Sequence, residues 1–230
     1  MARIELLDTV AHRDLRIVTR RDPSLGDRRN FVQLVASEFA RAAAHYPIFF
    51  TKSAETGSFL AGAVLGFHDG ENLFLDQGTS PYRPLTLRRE PFHIVGDDLG
   101  FDTGHPRVSR AEGEPVFDAD GQPSDYLRGV QQALTQLRYG LDETDAFIRR
   151  MLDHKLVEPI DISLRFDDGE HCRLDGLYTI ARDGLYELSD ADAVKLFRSG
   201  DLQLAFTMIG SLSQIGVMAA RRNERLLDPV

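Results

Sequence analysis

The sequence predicts an α+β fold, a mainly antiparallel sheet packed against a helical hairpin and a C-terminal buried helix. Three observations carry that prediction. Short alternating or β-branched runs bounded by turn residues recur between Leu15 and Tyr178. Helical stripes occupy two later stretches, Ser124 to His154 and Ser189 onward. Hydrophobic residues make up 42% of the 230 and charged residues 27%, enough apolar material for a real core and too much for a disordered chain. The expectation is a single domain over residues 1–230.

The elements follow in order. Leu15 to Thr19 is β-branched and alternating, a strand; Arg20 to Asn30, with Pro23 and Gly26, is a loop. Asn30 caps an expected helix to about Ala44, with Phe31, Leu34, Val35 and Phe39 as its apolar face, and Pro47 stops it. Ile48 to Phe50 and Phe59 to Phe67 read as strands joined across Ala54 to Gly57, and Asn72 to Leu75 as a third strand. Residues 77–90, with Gly78, Pro81 and Pro84, read as irregular, Phe92 to Val95 as strand, and 96–123 as a long loop with at most one or two strands. Ser124 caps a helix to about Tyr139, Gly140 ends it, and a second helix from Asp142 to His154 completes the hairpin.

Ile160 to Phe166 alternates, and the following strand carries Cys172 and Leu174. Keeping the apolar faces together calls for a three-residue loop, Asp168 to Glu170, pairing Phe166 with Cys172 and Leu164 with Leu174. Ser189 with Asp192 forms a capping position for a helix closed by Gly200. An uncharged helix then runs from Leu202 to Ala220 and ends in Arg221, Arg222 and Arg225. Gln203, Thr207, Ser211 and Gln214 fall on one stripe of it, which fits a helix buried in a soluble fold better than a membrane span.

Asp and Glu outnumber Lys and Arg by 36 to 27, for a net charge of −9, the opposite of what a phosphate-backbone binder carries, so nucleic acid is not an expected partner. The lone Cys172 allows no internal disulfide and no Cys-x-x-Cys pair. Glu5 and Asp8 interrupt the N-terminus before a signal-peptide core forms, so a cytoplasmic location is expected and surface association would need a leaderless route.

Several constellations could carry chemistry. His12-Arg13-Asp14 has the His-x-Asp spacing of an iron site but no second ligand in view, and Thr19 stands where a kinase catalytic loop needs Asn. Asp118-Ala119-Asp120-Gly121 is excluded as an EF-hand because Val116 and Leu127 would occupy its terminal ligand positions; it reads as an Asp-Gly turn. His93, Asp97, Asp98, Asp102 and His105 form one His/Asp set, and His68, Asp69, Glu71 and Asp76 another, either able to supply a general base or metal ligands. Gly62 and Gly66 lack the order and the following helix of a dinucleotide site. Arg88 and Arg89 could clamp a carboxylate or a phosphate. No cofactor and no metal is expected.

Longer blocks carry a resemblance. Ala43-Ala44-His45-Tyr46-Pro47-Ile48-Phe49-Phe50, Glu55-Thr56-Gly57, Leu65-Gly66-Phe67 and Gly70-Glu71-Asn72-Leu73-Phe74-Leu75 resemble the signature of the SapC family, bacterial proteins named for association with a surface layer. So do Tyr82-Arg83-Pro84, Arg88-Arg89, Pro91-Phe92, Gly113 to Asp118, Asp120 to Ser124, Leu174 to Tyr178 and Ser211-Leu212, so that the match spans about 35–215. The chain departs from the pattern in having no tryptophan near Gly78 and in placing Glu90 where a tyrosine often precedes Pro-Phe.

The resemblance implies a non-catalytic binding or accessory protein, linked to a surface layer, to nutrient uptake or to peptide modification. The alternatives are a metal-assisted enzyme using His45, His93 or His105, and a structural surface-layer component. His45, Tyr46, Tyr82, Arg88, Arg89 and His93 are the candidate ligand-binding residues. A protein or peptide is a candidate partner, and a second copy of the chain is another through the 202–220 helix.

Overall fold

The computed structural model describes residues 3–75 and 82–227. Asp76, Gly78 and Pro81, named above, lie outside the described residues. The strands are β1 Ile4–Leu6, β2 Arg16–Ile17, β3 Phe31–Gln33, β4 Ile48–Lys52, β5 Phe59–Val64, β6 Phe92–Val95, β7 Asp98–Asp102, β8 Val108–Ser109 and β9 Glu114–Pro115. They continue with β10 Val157–Pro159, β11 Ile162–Arg165, β12 His171–Leu174 and β13 Tyr178–Ile180. The helices are α1 Phe39–Ala42, α2 Leu85–Arg88, α3 Asp125–Asp153, α4 Arg182–Tyr186, α5 Asp190–Arg198, α6 Asp201–Ser211 and α7 Gln214–Leu227. Every strand pairing among the described residues is antiparallel, so the expected α+β class holds.

The chain divides into two compact units, the first within residues 1–29 and 74–139 and the second within 30–73 and 140–230. The first holds two three-stranded sheets, ordered β1-β7-β6 and β8-β2-β9. Leu15, Ile17, Phe92, Phe101, Val116 and Phe117 from these strands and their flanks form one core with Leu127, Val130 and Leu134. Those three sit at the i, i+3 and i+7 positions of the first half of α3, one helical face. Ser124 caps that helix, its Oγ accepting from the Leu127 N–H at 3.2 Å.

The second unit is built on a five-stranded sheet ordered β10-β13-β4-β5-β3, with the β11–β12 hairpin beside it in sequence. The Phe147 ring meets Phe39 edge to face and Phe50 at a tilt, each with centroids 6.1 Å apart, bringing α1, β4 and the second half of α3 into one core. Ser211 of α6 fixes the start of β4: its Oγ accepts from the Ile48 N–H at 2.9 Å and donates to the Met208 carbonyl at 2.6 Å. On α7, Arg222 donates to Asp168 at 2.8 Å and to Glu170, and its guanidinium lies 4.2 Å from the Phe166 ring centroid, which clamps the tip of the β11–β12 hairpin.

Four expectations are corrected. The helix expected from Asn30 starts only after Val35: Phe31–Gln33 pairs with β5 instead, with Phe31 opposite Val64. The apolar spacing of Phe31, Leu34, Val35 and Phe39 fits a helix, but the strand pairing wins because Gly62 leaves room for the Phe31 ring, which a Cβ there would meet at 2.2 Å. Asn72 to Leu75 is not a strand: Leu73 and Phe74 form a turn, and the loop ahead of it, 67–71, is closed by Glu71 accepting from the Phe67 N–H at 2.6 Å.

The expected helical hairpin is one continuous helix, α3, running through Gly140. A Cβ on Gly140 would lie 2.8 Å from the Val35 side chain, so this glycine serves close packing and not termination. The expected buried C-terminal helix is two helices, α6 and α7, divided at Leu212–Ser213. Each buries one side, Ala205, Met208 and Ser211 on α6 and Met218 on α7, while Phe206 and Val217 are exposed. An 18-residue window within Asp201–Leu226 has a mean hydropathy of 1.4, which meets the requirement for a membrane span by length and composition only.

Two further differences are smaller. Residues 96–123 hold three short strands, β7, β8 and β9, where at most two were expected. In the β11–β12 hairpin Leu164 faces Cys172 and Ile162 faces Leu174. The apolar faces meet as expected, but the three-residue loop is Asp167 to Gly169. Asp168 accepts from the Glu170 N–H at 3.0 Å, and Gly169, at φ 85°, donates to the Phe166 carbonyl at 2.9 Å, which closes the turn one residue earlier.

Candidate functional site

In the first unit a set of interacting charged side chains gathers around Glu90, just ahead of β6. Arg29 reaches it from the loop after Gly26: its Nη1 lies 2.7 Å from Glu90 Oε1, and its Nη2 donates to the Gly26 carbonyl at 2.8 Å. The other carboxylate oxygen, Oε2, is buried without a hydrogen-bond partner and lies 3.9 Å from His105 Nε2. Gly26 holds φ 87°, which favours glycine, and its missing Cβ would stand 3.6 Å from the His105 ring.

Below this pair lies a second one. Arg107, 1% exposed, donates to Asp27 Oδ2 at 2.5 Å and to the carbonyls of Val18 and Arg20 at 2.7 and 2.9 Å. Arg83 Nη2 lies 3.6 Å from the other Asp27 oxygen. Burial disfavours the charged form of Arg83, and the neighbouring Arg107 adds to that, while Asp27 and Glu90 oppose it. Arg29, Arg83, Arg89 and Arg107 thus face the carboxylates of Asp27 and Glu90, an excess of positive charge inside a chain that is negative overall.

The histidines are held in one protonation pattern. Arg89 Nη1 lies 3.0 Å from His93 Nδ1 and also donates to the Phe92 carbonyl at 2.8 Å. The Arg107 N–H donates to His105 Nδ1 at 3.2 Å. A guanidinium and a backbone N–H can only donate, so each Nδ1 is an acceptor and each neutral ring carries its proton on Nε2. Burial lowers the pKa of both rings below the ordinary histidine value of 6.5; Arg89 adds to the effect at His93, and Glu90 opposes it at His105. Tyr126 closes the cluster, its hydroxyl 3.5 Å from the Glu90 carbonyl and its pKa pushed up to about 12 by burial.

Of the residues expected to bind a ligand, Arg89 and His93 sit in this cluster. Tyr82, in the same unit, is half-buried. Arg88 is exposed at the end of α2, and its side chain makes no ion pair or hydrogen bond among the described residues. His45 and Tyr46 belong to the second unit. Their rings meet edge to face at 6.0 Å; Tyr46 is 2% exposed, and burial, followed by Arg221, lowers the pKa of His45. The sequence reading missed Asp27, Arg29, Arg83, Arg107 and Tyr126. They come from separate stretches, and nothing local marks them; the one usable signal was Glu90 standing where a tyrosine is usual.

The other constellations have structural roles. Asp102 accepts from the N–H groups of Arg3 and Gly104 at 2.9 and 3.1 Å, which holds its carboxyl below the usual range, and Asp97 and Asp98 are exposed in the β6–β7 turn. His68 pairs with Glu170 at 3.1 Å. His12 is buried edge-on against Phe101, with Nδ1 accepting from the Asp8 N–H at 3.0 Å. Asp118 accepts from Asp120 and Gln122, forming the expected turn. Cys172 is buried and its thiol is pushed up by burial, with Glu170 and Glu71 adding. Among the described residues no three His, Cys, Asp or Glu side chains gather as a cation site would require.

Fold and site together define an α+β protein with a half-buried arginine–histidine cluster. The SapC family model matches residues 7–218, and the chain belongs to the SapC family. No match was found among curated proteins or among solved structures.

Proposed function

We propose that this SapC-family chain is a non-catalytic binding protein and that the cluster around Glu90 recognises an anionic group, a carboxylate or a phosphate. The single observation behind this reading is the state of the two histidines. Each has its basic nitrogen occupied by a neighbouring donor, so what His93 and His105 offer is an Nε2–H. A general base needs a free acceptor nitrogen within reach of the proton it takes. Two N–H donors beside an excess of guanidinium groups suit an anion instead. The accessory role, and its link with a surface layer or an uptake system, is supported only by the family's naming.

Calorimetric titration with inorganic phosphate and with acetate, at constant ionic strength in chloride, tests the reading. Saturable binding is expected, lost in Arg89→Ala and kept in Arg138→Ala, an exposed residue of α3. Absence of saturable binding by either anion, or equal binding by Arg89→Ala, would overturn it.

A further inference from the structure

A cavity of about 630 Å³ opens along β2 and β9, lined by Arg13, Asp14, Leu15, Arg16, Arg110, Pro115, Phe117, Asp118 and Ala119. None of these residues belongs to the cluster around Glu90. The volume is in the range of small-molecule sites, about 300–1,000 Å³. Its lining is mixed and more polar than apolar: the core residues Leu15 and Phe117, both buried, and the half-buried Pro115 supply the apolar part.

The charges around it fall into two kinds. Three are already anchored. Arg13 donates to the Ala119 carbonyl and Arg16 to the Gly113 carbonyl, both at 2.8 Å, and Asp118 accepts the two N–H groups of its own turn. The remaining two, Asp14 and Arg110, are exposed, and neither makes a hydrogen bond or an ion pair among the described residues. They are opposite in sign, they share one cavity, and they do not pair across it. Two unlike charges held apart beside a partly apolar lining match a ligand with an ammonium, a carboxylate and an apolar body. A simple anion would leave Asp14 unanswered and repelling, and a simple cation would do the same to Arg110.

We propose that this cavity binds an apolar α-amino acid or the termini of a short peptide as the zwitterion, with the carboxylate on Arg110, the ammonium on Asp14 and the apolar side chain over Leu15 and Phe117. Arg13 and Arg16 each spend one of five guanidinium N–H donors on the main chain, so both have donors left for the same carboxylate.

Calorimetric titration with L-phenylalanine, the dipeptide Gly-Phe, N-acetyl-L-phenylalanine and L-phenylalaninamide tests this. At least one zwitterion is expected to bind saturably, and each blocked compound at least about tenfold more weakly, because each loses a charge-assisted contact. Preference between phenylalanine and Gly-Phe identifies the source as a free amino acid or a peptide, and either supports the proposal. Arg110→Met and Asp14→Asn alter exposed side chains, so both variants are expected to keep the native circular dichroism spectrum and to lose the binding. No saturable binding of either zwitterion, undiminished binding of the acetylated compound, or unchanged affinity in either variant would overturn the proposal.

Discussion

Arg107 and Asp27 form a buried ion pair at 2.5 Å, with their side chains 1% and 4% exposed. The guanidinium arrives from the segment before β8 and the carboxylate from the loop before β3, and its Nε is buried with no partner. Two charges taken out of water gain little over an apolar pair, but removing one of them leaves the other uncompensated. Asp27→Ala is therefore expected to destabilise the protein by about 3–5 kcal/mol. Asp125→Ala, which breaks the exposed Asp125–Arg128 pair, is expected to leave the urea midpoint unchanged. Equal midpoints for the two variants would show that the buried pair does not hold the loop.

Gly140 carries the second expected outcome. Alanine is the better helix former, and in an open position the change from glycine gains about 0.5–1 kcal/mol. Gly129 of α3 is such a position, since nothing stands within 4 Å of a Cβ built there. At Gly140 the same Cβ would press on Val35 at 2.8 Å. Gly129→Ala is expected to raise the urea midpoint, and Gly140→Ala to lower it by the cost of overpacking, about 1–3 kcal/mol. A stabilised Gly140→Ala would mean that α3 is not packed on Val35.

The pH dependence follows from the half-buried histidines His93 and His105. Their folded-state pKa values lie below the ordinary 6.5, so below about pH 6.5 the unfolded chain takes up protons that the folded chain refuses. Their stabilising contribution is fully present above the unfolded pKa and is lost as pH falls through the window down to the folded pKa. His45 adds in the same direction. The urea midpoint is expected to fall as pH drops from about 7 toward about 5, and less steeply in the double variant His93→Gln, His105→Gln. Identical slopes would place the acid sensitivity elsewhere.

Much of the second unit's sheet was legible because its signals are local. Pro47 and the aromatic run after it mark β4, the turn chemistry around Gly57 marks the β4–β5 hairpin, and Ser189 caps α5 through Asp192 as read. What misled was residues that fit two roles. Gly140 carries the same letter whether it ends a helix or admits Val35. Phe31, Leu34 and Val35 fit a helix face until β5 offers backbone partners. The site was legible only where its parts are neighbours in sequence, as Arg89 and His93 are. Asp27, Arg29 and Arg107 meet Glu90 and Arg83 by folding, and Arg13 and Asp14 read only as part of a His-x-Asp spacing with no second ligand in view.

The claim on which the functional reading depends is that His93 and His105 are neutral donors and not bases. Side-chain nitrogen NMR of the two imidazoles at neutral pH measures this directly, with and without inorganic phosphate. The expected spectrum has Nε2 protonated and Nδ1 bare in both rings, with the Nε2 signals moving as phosphate binds. Rings protonated on both nitrogens or on Nδ1, or Nε2 signals indifferent to phosphate, would contradict it.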